Sequence, residues 1–487
     1  MIVPSGFLSE GYEMLLKRFP RMNKDYLLAI MEVTLSSACW KVYTVNEYSA
    51  LAPNIWIQAI VSSGSGKTLP IDHFLTLILE ELEKKIETEK EMYVLPLSDY
   101  TKEAIVKYFS NKTTRKRGKG ENKKEKQVIF TYGVLCKDES SMFLNATLHK
   151  SYMADIIGVE SKMYDGKLWR KITTSRGFEE VPKCFKANIS ATTPAIYQLM
   201  QEDGFIQGGW NRYDMIIGNP LKSEEIKMLS EGFFFSTSLE HRELLEQFEQ
   251  IPFEYAEKLA KIVCGDNIYI RFDDEANLLW RQFEFESKKQ ATALNYKNLR
   301  KGYLERQAEK ALKRAMLYTI SKELHHLEHL ESEDIPVFGE MKKQRSLLCE
   351  ADTMKIAIEN QKALYKYWLK MLEERGRSPP KSLLRTNEAE RTWFMEACIR
   401  LTKKYGKFSR KLLIEETQWN DGDRRLTDNI HSAKFEGKLI EITSVKSKAI
   451  CIMHKNENDM AWFEAQRISP SFKNAPYLYK WKEVDKN

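Results

Sequence analysis

Residues 55–68 read IWIQAIVSSGSGKT: an apolar run from Ile55 to Val61, then Ser62, Ser63, Gly64, Ser65, Gly66, Lys67 and Thr68, with Leu69 opening a pattern of helical period. A strand, a glycine-rich loop and a helix in that order match the P-loop pattern. Glycines let backbone N–H groups close around a phosphate, and the helix N-terminus adds partial positive charge. The pattern assigns Lys67 to the β- and γ-phosphates of ATP and the Thr68 hydroxyl to Mg²⁺, with Ser63, Gly64, Ser65 and Gly66 forming the cradle. One departure stands out, since the first position of the motif, usually glycine, is Val61.

Outward from this loop, short apolar runs alternate with helical stretches such as Leu69 to Glu89. The runs are MYVLPL, QVIFTY, GVLC and CFKANIS. Alternation of that kind, together with the P-loop, predicts an α/β P-loop NTPase core with a mainly parallel sheet over residues 51–220. Residues 1–50, with Tyr26, Leu27, Ile30, Met31 and Leu35 at helical spacing, read as a helical leader. Residues 221–375 read as a helical region, notably Asn298 to His325 and Asp352 to Arg375. GRSPP opens a linker over 376–386.

An ATPase also needs a carboxylate beyond a neighbouring strand. The run GVLC followed by Lys137, Asp138 and Glu139 supplies a Walker B pattern, with Asp138 bearing on the metal and Glu139 polarising the attacking water; Lys137 interrupts its apolar character. CFKANISATTPAI places Thr192 and Thr193 at the end of another strand, with Asn188 behind them. Thr193 is a candidate sensor of the γ-phosphate; an ordinary strand ending before Pro194 is the other reading. In GGWNRYDMII, Arg212 follows a glycine turn and is either an arginine finger for a neighbouring subunit or a surface Arg paired with Asp214. Arg306 and Arg314 are weaker candidates for an ATP-sensing Arg.

The net charge is +7, and residues 111–127 hold most of it, with eight Lys or Arg against two Glu. This run, with Lys116 and Arg117 at its centre, reads either as a phosphate-backbone contact or as a solvated insertion. Residues 387–455 carry a helical stripe of Trp393, Phe394, Ala397 and Leu401, a second helix at Leu412 and Leu413, and a third at Leu426, Ile430 and Ala433. LIEIT and AICIM follow, joined by the turn SVKSK. Three helices and a hairpin predict a winged helix, with Arg424, Arg425 and Lys434 on the recognition helix and Lys446 and Lys448 at the wing tip. Such units also dock proteins. Residues 456–487 read as a C-terminal tail.

The seven cysteines are scattered without metal-ligand spacing, and no uncharged apolar run is long enough to span a bilayer. A reducing, cytoplasmic location without membrane insertion is expected.

The P-loop, the acidic pair, MYDGKLWRKITTSRG, ISATTPAI and GGWNRYDMII occur in the order in which they stand in the primase-helicase-like ATPases of phages, plasmids and other mobile elements. The chain resembles that family over about Met22 to Pro220, and its YDG segment with the basic hairpin is the more specific feature. The resemblance implies an AAA+- or RecA-like ATPase, a homo-oligomer in a hexamer-like ring, that hydrolyses ATP between subunits and moves on single-stranded or forked DNA. It also implies that Lys167, Arg170, Lys171 and Arg176 line a central channel; the alternative is a surface hairpin. No primase signature is present, so a separate primase or replication initiator is an expected partner. A second class of function is an ATP-controlled DNA-binding switch, such as an initiator, a helicase loader or a transposition regulator. A phosphotransferase acting on a small substrate is a distant third.

Overall fold

The computed structural model of the chain describes residues 1–45, 50–62, 66–85, 94–95, 102–111, 131–137, 140–141, 156–173, 177–181, 183–200, 202–206, 208–218, 239–296, 298–337, 340–377, 388–405, 408–417, 426, 429–430, 439–443 and 477–481. By its contacts the chain divides into one unit over Met1–Glu374 and another over Arg375–Asn487.

Among the described residues the first unit is a mixed helix and sheet fold with two five-stranded sheets and a two-stranded hairpin. One sheet has the order β4-β5-β8-β3-β9, built from β3 (Trp56–Ile60), β4 (Val94–Leu95), β5 (Thr131–Lys137), β8 (Cys184–Thr192) and β9 (Asp214–Ile217). All its pairings are parallel. β3 and β8 are buried at every position, as a parallel sheet covered on both faces requires. Thr131 and Tyr132, which end the expected run QVIFTY, lie with GVLC in the single strand β5. Between β5 and β8, β6 (Trp169–Thr173) and β7 (Gly177–Val181) form the expected antiparallel hairpin.

The second sheet was not foreseen. Its order is β11-β12-β10-β1-β2, from β1 (Val42–Val45), β2 (Ala50–Leu51), β10 (Ile268–Phe272), β11 (Glu333–Val337) and β12 (Glu340–Cys349). β1, β10 and β12 run parallel, and β2 and β11 close the edges antiparallel. The leader and the helical region are therefore not purely helical: residues 1–50 contribute β1, and 221–375 contribute three strands. β12 reads EMKKQRSLLC, whose polar first half offers no apolar run to detect, and pairing with β10 overrides that weak local signal.

The helices are α1 (Phe7–Arg18), α2 (Lys24–Ala38), α3 (Leu77–Lys85), α4 (Lys102–Asn111), α5 (Ile156–Tyr164), α6 (Leu239–Val263), α7 (Asp274–Thr292), α8 (Lys301–Glu323) and α9 (Ala351–Arg377). α2 is buried on every side from Tyr26 to Ala38, so it is a core element and not a leader. Its Leu27, Ile30 and Val33 join β3, β8 and β10 in one hydrophobic cluster.

Inside the unit lies a balanced set of buried charges. Arg314 of α8 donates to Asp214 at the start of β9 (2.6 Å) and to Glu32 of α2 (3.2 Å), and Lys310 donates to the other Asp214 oxygen (2.9 Å). Tyr303 and Gln361 also donate to Asp214. Burial favours the neutral acid, but Lys310 and Arg314 outweigh it and hold the Asp214 carboxyl well below the usual range. Burial pushes Lys310 down to about 8 against the pull of Asp214.

The second unit contains α10 (Glu388–Tyr405), β13 (Phe408–Ser409), α11 (Arg410–Thr417), β14 (Leu439–Thr443) and β15 (Tyr477–Trp481). Phe394, Ala397, Leu401, Leu413, Leu426 and Ile430 share its core. The sheet order is β13-β15-β14, antiparallel throughout. LIEIT pairs with YLYKW from the expected tail, a strand that the hairpin reading did not include. AICIM lies outside the described residues.

Candidate functional site

Parallel register brings the C-terminal ends of β3, β8, β5 and β9 to one edge. Ile60 stands opposite Thr192 on one side and Ile217 on the other, and Lys137 stands opposite Ser190. The glycine-rich segment follows β3 at this edge, Asp138 and Glu139 follow β5, and Thr193 follows β8. In open parallel sheets a ligand binds beyond this edge, where the strand order reverses.

Ser63, Gly64 and Ser65 lie outside the described residues, as do Asp138 and Glu139. Gly66 is described and has φ of 72°, where a Cβ would stand 3.0 Å from the Leu69 side chain. This turn requires glycine. The Leu69 N–H then donates to the Gly66 carbonyl. Pro70, which has no N–H, precedes a π-helical turn over Ile71–Thr76 that leads into α3.

The unusual Val61 has a structural counterpart. A Cβ added to Gly218, just past β9, would meet Val61 Cγ1 at 2.9 Å. The bulk that the motif normally excludes at 61 is accommodated by the absence of a side chain at 218. Lys137, the interruption in the Walker B run, is buried with its ammonium 3.7 Å from Glu160 of α5. Lys186 of β8 stands 3.3 Å from the same carboxylate and 4.1 Å above the Trp56 ring, and burial lowers its pKa. On the far side of the acidic pair, the Ser140 hydroxyl donates to Gln58 of β3 (3.1 Å).

The sensor candidates separate. Thr192 is buried and its carbonyl accepts from the Val61 N–H, whereas Thr193 is half-buried at the strand end. Asn188 stands opposite Trp56, near the start of β3, with its amide donating to Tyr213. It does not reach the P-loop edge.

Arg212 pairs with neither Asp214 nor solvent. Its Nε and Nη2 donate to the two carboxylate oxygens of Asp165 (3.1 and 2.6 Å), and Nη1 donates to the Gly208 carbonyl. The side chain is 6% exposed, so this Arg does not project. Arg306 reaches the same Asp165 at 3.0 Å. Burial raises the Asp165 carboxyl, but Arg212 and Arg306 outweigh it and bring it below its ordinary value. Arg314 is wholly buried at Asp214, which stands opposite Ile57, at the end of β3 remote from the loop. Neither Arg306 nor Arg314 is placed to sense a phosphate on its own P-loop.

Of the nucleic-acid candidates, Lys167 and Arg170 are exposed on the hairpin, and Arg170 pairs with Glu180 across it (2.9 Å). Lys171 lies in β6. Arg176, Lys116, Arg117, Arg424, Arg425, Lys434, Lys446 and Lys448 lie outside the described residues. Sequence reading noted Asp165 in its YDG setting but not its partners, which lie far along the chain, and it missed Tyr26, whose hydroxyl donates to the Lys67 carbonyl (2.6 Å).

The fold thus defines a mixed α/β protein with a parallel sheet whose glycine-turned loop opens at the C-terminal edge. No protein-family model matches the chain and no curated protein matches it. Among the described residues no helix is long and apolar enough to cross a membrane.

Proposed function

We propose that the chain is a P-loop ATPase of the AAA+ or RecA-like kind that acts on DNA. The observation that supports this reading is the strand order, in which β8 separates β3, the strand before the glycine-rich segment, from β5, which Asp138 and Glu139 follow in the chain. The AAA+ resemblance implies that order, with a sensor at the end of the intervening strand, where Thr193 stands. ATP would be held by Ser63, Gly64, Ser65 and Gly66 through backbone N–H groups and by Lys67 through its ammonium. Mg²⁺ bound by Thr68 and Asp138 would supply positive charge to the phosphates. Glu139 would orient the attacking water and take its proton.

The DNA partner is supported by the exposed cations of the β6–β7 hairpin and by the second unit. There the chain order is helix, strand, helix, helical turn, strand, strand, with the last strand between the first two. Among the described residues that order supports the winged-helix reading, which would then extend to Trp481. The reading is of a helicase or translocase working in a ring, aided by a separate primase or initiator. One observation favours the alternative, a DNA-binding switch with slow turnover: the arginine-finger candidate Arg212 is engaged by Asp165 within its own subunit. Arg212 is accordingly not carried forward as a finger.

The test is ATP hydrolysis by the wild type, Lys67→Ala and Glu139→Gln, with and without single-stranded DNA, alongside unwinding of a forked duplex. DNA-stimulated hydrolysis lost in both variants, with strand separation by the wild type, is the expected result. Nucleotide-dependent DNA binding without unwinding selects the switch, and indifference to DNA overturns both readings.

A further inference from the structure

We infer that Tyr26 is a positioning residue for the nucleotide, acting through the backbone of the P-loop. This rests on the reading of residues 62–68 as a phosphate cradle. Tyr26 lies in the first turn of α2 and is fully buried, and its hydroxyl donates to the Lys67 carbonyl at 2.6 Å. The peptide between Lys67 and Thr68 is planar and trans, so its carbonyl and the Thr68 N–H point in opposite directions. Holding the carbonyl toward α2 therefore aims the Thr68 N–H away from α2. An amide at this position, where the loop enters the helix, is a donor to phosphate in the P-loop pattern.

The anchor is stiff. The side chain of Asn23 caps α2 by accepting from the Tyr26 N–H (3.0 Å), and Asp25 accepts from Tyr367 of α9 (2.8 Å). Met22 packs beside the loop, with its methyl 3.5 Å from where a Cβ on Gly66 would stand. From Tyr26 onward α2 is enclosed by the core, so the hydroxyl is delivered from a fixed frame. A donor amide oriented before ligand arrives saves the ordering cost of binding. α2 thereby belongs to the nucleotide site, although it lies outside the motif.

The test uses Tyr26→Phe, which keeps the ring, in the full chain. Affinity for the magnesium complex of a non-hydrolysable ATP analogue is measured by calorimetry, beside the thermal midpoint of the nucleotide-free protein. Tyr318→Phe, which removes a buried hydroxyl bonded to Glu32 and not to the loop, serves as the comparison. The expected result is a loss of affinity of about threefold to tenfold for Tyr26→Phe, the size of one hydrogen bond, with Tyr318→Phe binding as the wild type does whatever its stability. Unchanged affinity in Tyr26→Phe, or an equal loss in both variants, overturns the inference while leaving the nucleotide site intact. Absence of binding by the wild type overturns the site and the inference together.

Discussion

Asp165 and Arg212 form a two-point ion pair, guanidinium fork against carboxylate, between the YDG turn after α5 and the glycine turn before β9. The YDG segment, the more specific feature of the sequence, and the glycine turn thus hold each other. Lys cannot replace a planar fork of this kind.

The pair is almost enclosed, so removing either partner strands the other charge. Arg212→Ala should lower the unfolding free energy by about 3 kcal/mol, and Asp165→Ala by at least as much, because Arg306 also loses its acceptor. The double variant should cost clearly less than the sum. Urea unfolding of the set gives the coupling energy directly. Additive losses, or an Arg212→Ala protein of full stability that fails only in hydrolysis, would reinstate Arg212 as a finger.

Asp214 leads to a prediction about acid. Its folded-state pKa is depressed, so its contribution is fully present above the unfolded-state value of about 4 and is lost as pH falls through the folded value. Asp165 has the same sign. Stability of the wild type should decline below about pH 4. Asp214→Asn should start lower, with Lys310 deprived of its counter-charge and Arg314 left with Glu32 alone, and should decline less steeply. Urea midpoints across the acid range compare the two slopes, and equal slopes would mean that Asp214 does not titrate differently in the folded state.

What was legible follows from how local each signal is. Trp56–Ile60 is a nearly continuous apolar run, as parallel strands covered on both faces usually are, and Cys184–Thr192 alternates Cys184, Phe185, Ala187, Ile189 and Ala191 with polar residues at strand period. The glycine loop is contiguous and reads directly. β12 was not legible because Lys342, Lys343, Gln344 and Arg345 open it, and β1 because it is four residues at the end of a long helical pattern. The pairing of LIEIT with YLYKW was not legible for another reason: it joins strands far apart in the chain, and pairing across a long separation leaves no local trace. Asp165 with Arg212 and Tyr26 with Lys67 are likewise contacts between distant positions.

Val61 and Gly218 make a prediction about the loop. Gly218 does not sit in the left-handed region, so the cost of a side chain there is the contact with Val61 alone. Gly218→Ala should destabilise the first unit by about 1–3 kcal/mol through overpacking. Adding Val61→Ala removes both γ-carbons and should recover most of that loss. Thermal midpoints of the two single variants and the double one decide the matter, and a double variant no better than Gly218→Ala would show that the two positions do not compensate.

The second unit depends on β15 because that strand lies between the other two. Tyr479 stands opposite Phe408 on one side and Glu441 on the other, so its backbone belongs to both ladders. Proline has no N–H to donate and is excluded from central strands. Tyr479→Pro should therefore abolish the cooperative unfolding of the second unit while the first keeps its own transition. A chain shortened to end at Met453 should behave in the same way, since it retains LIEIT and AICIM but has lost the strand between β13 and β14. Limited proteolysis of residues 388–443 reads both variants: rapid cleavage is expected. Protection equal to that of the full chain would mean that LIEIT finds its partner elsewhere, with AICIM the first candidate, and would restore the shorter hairpin.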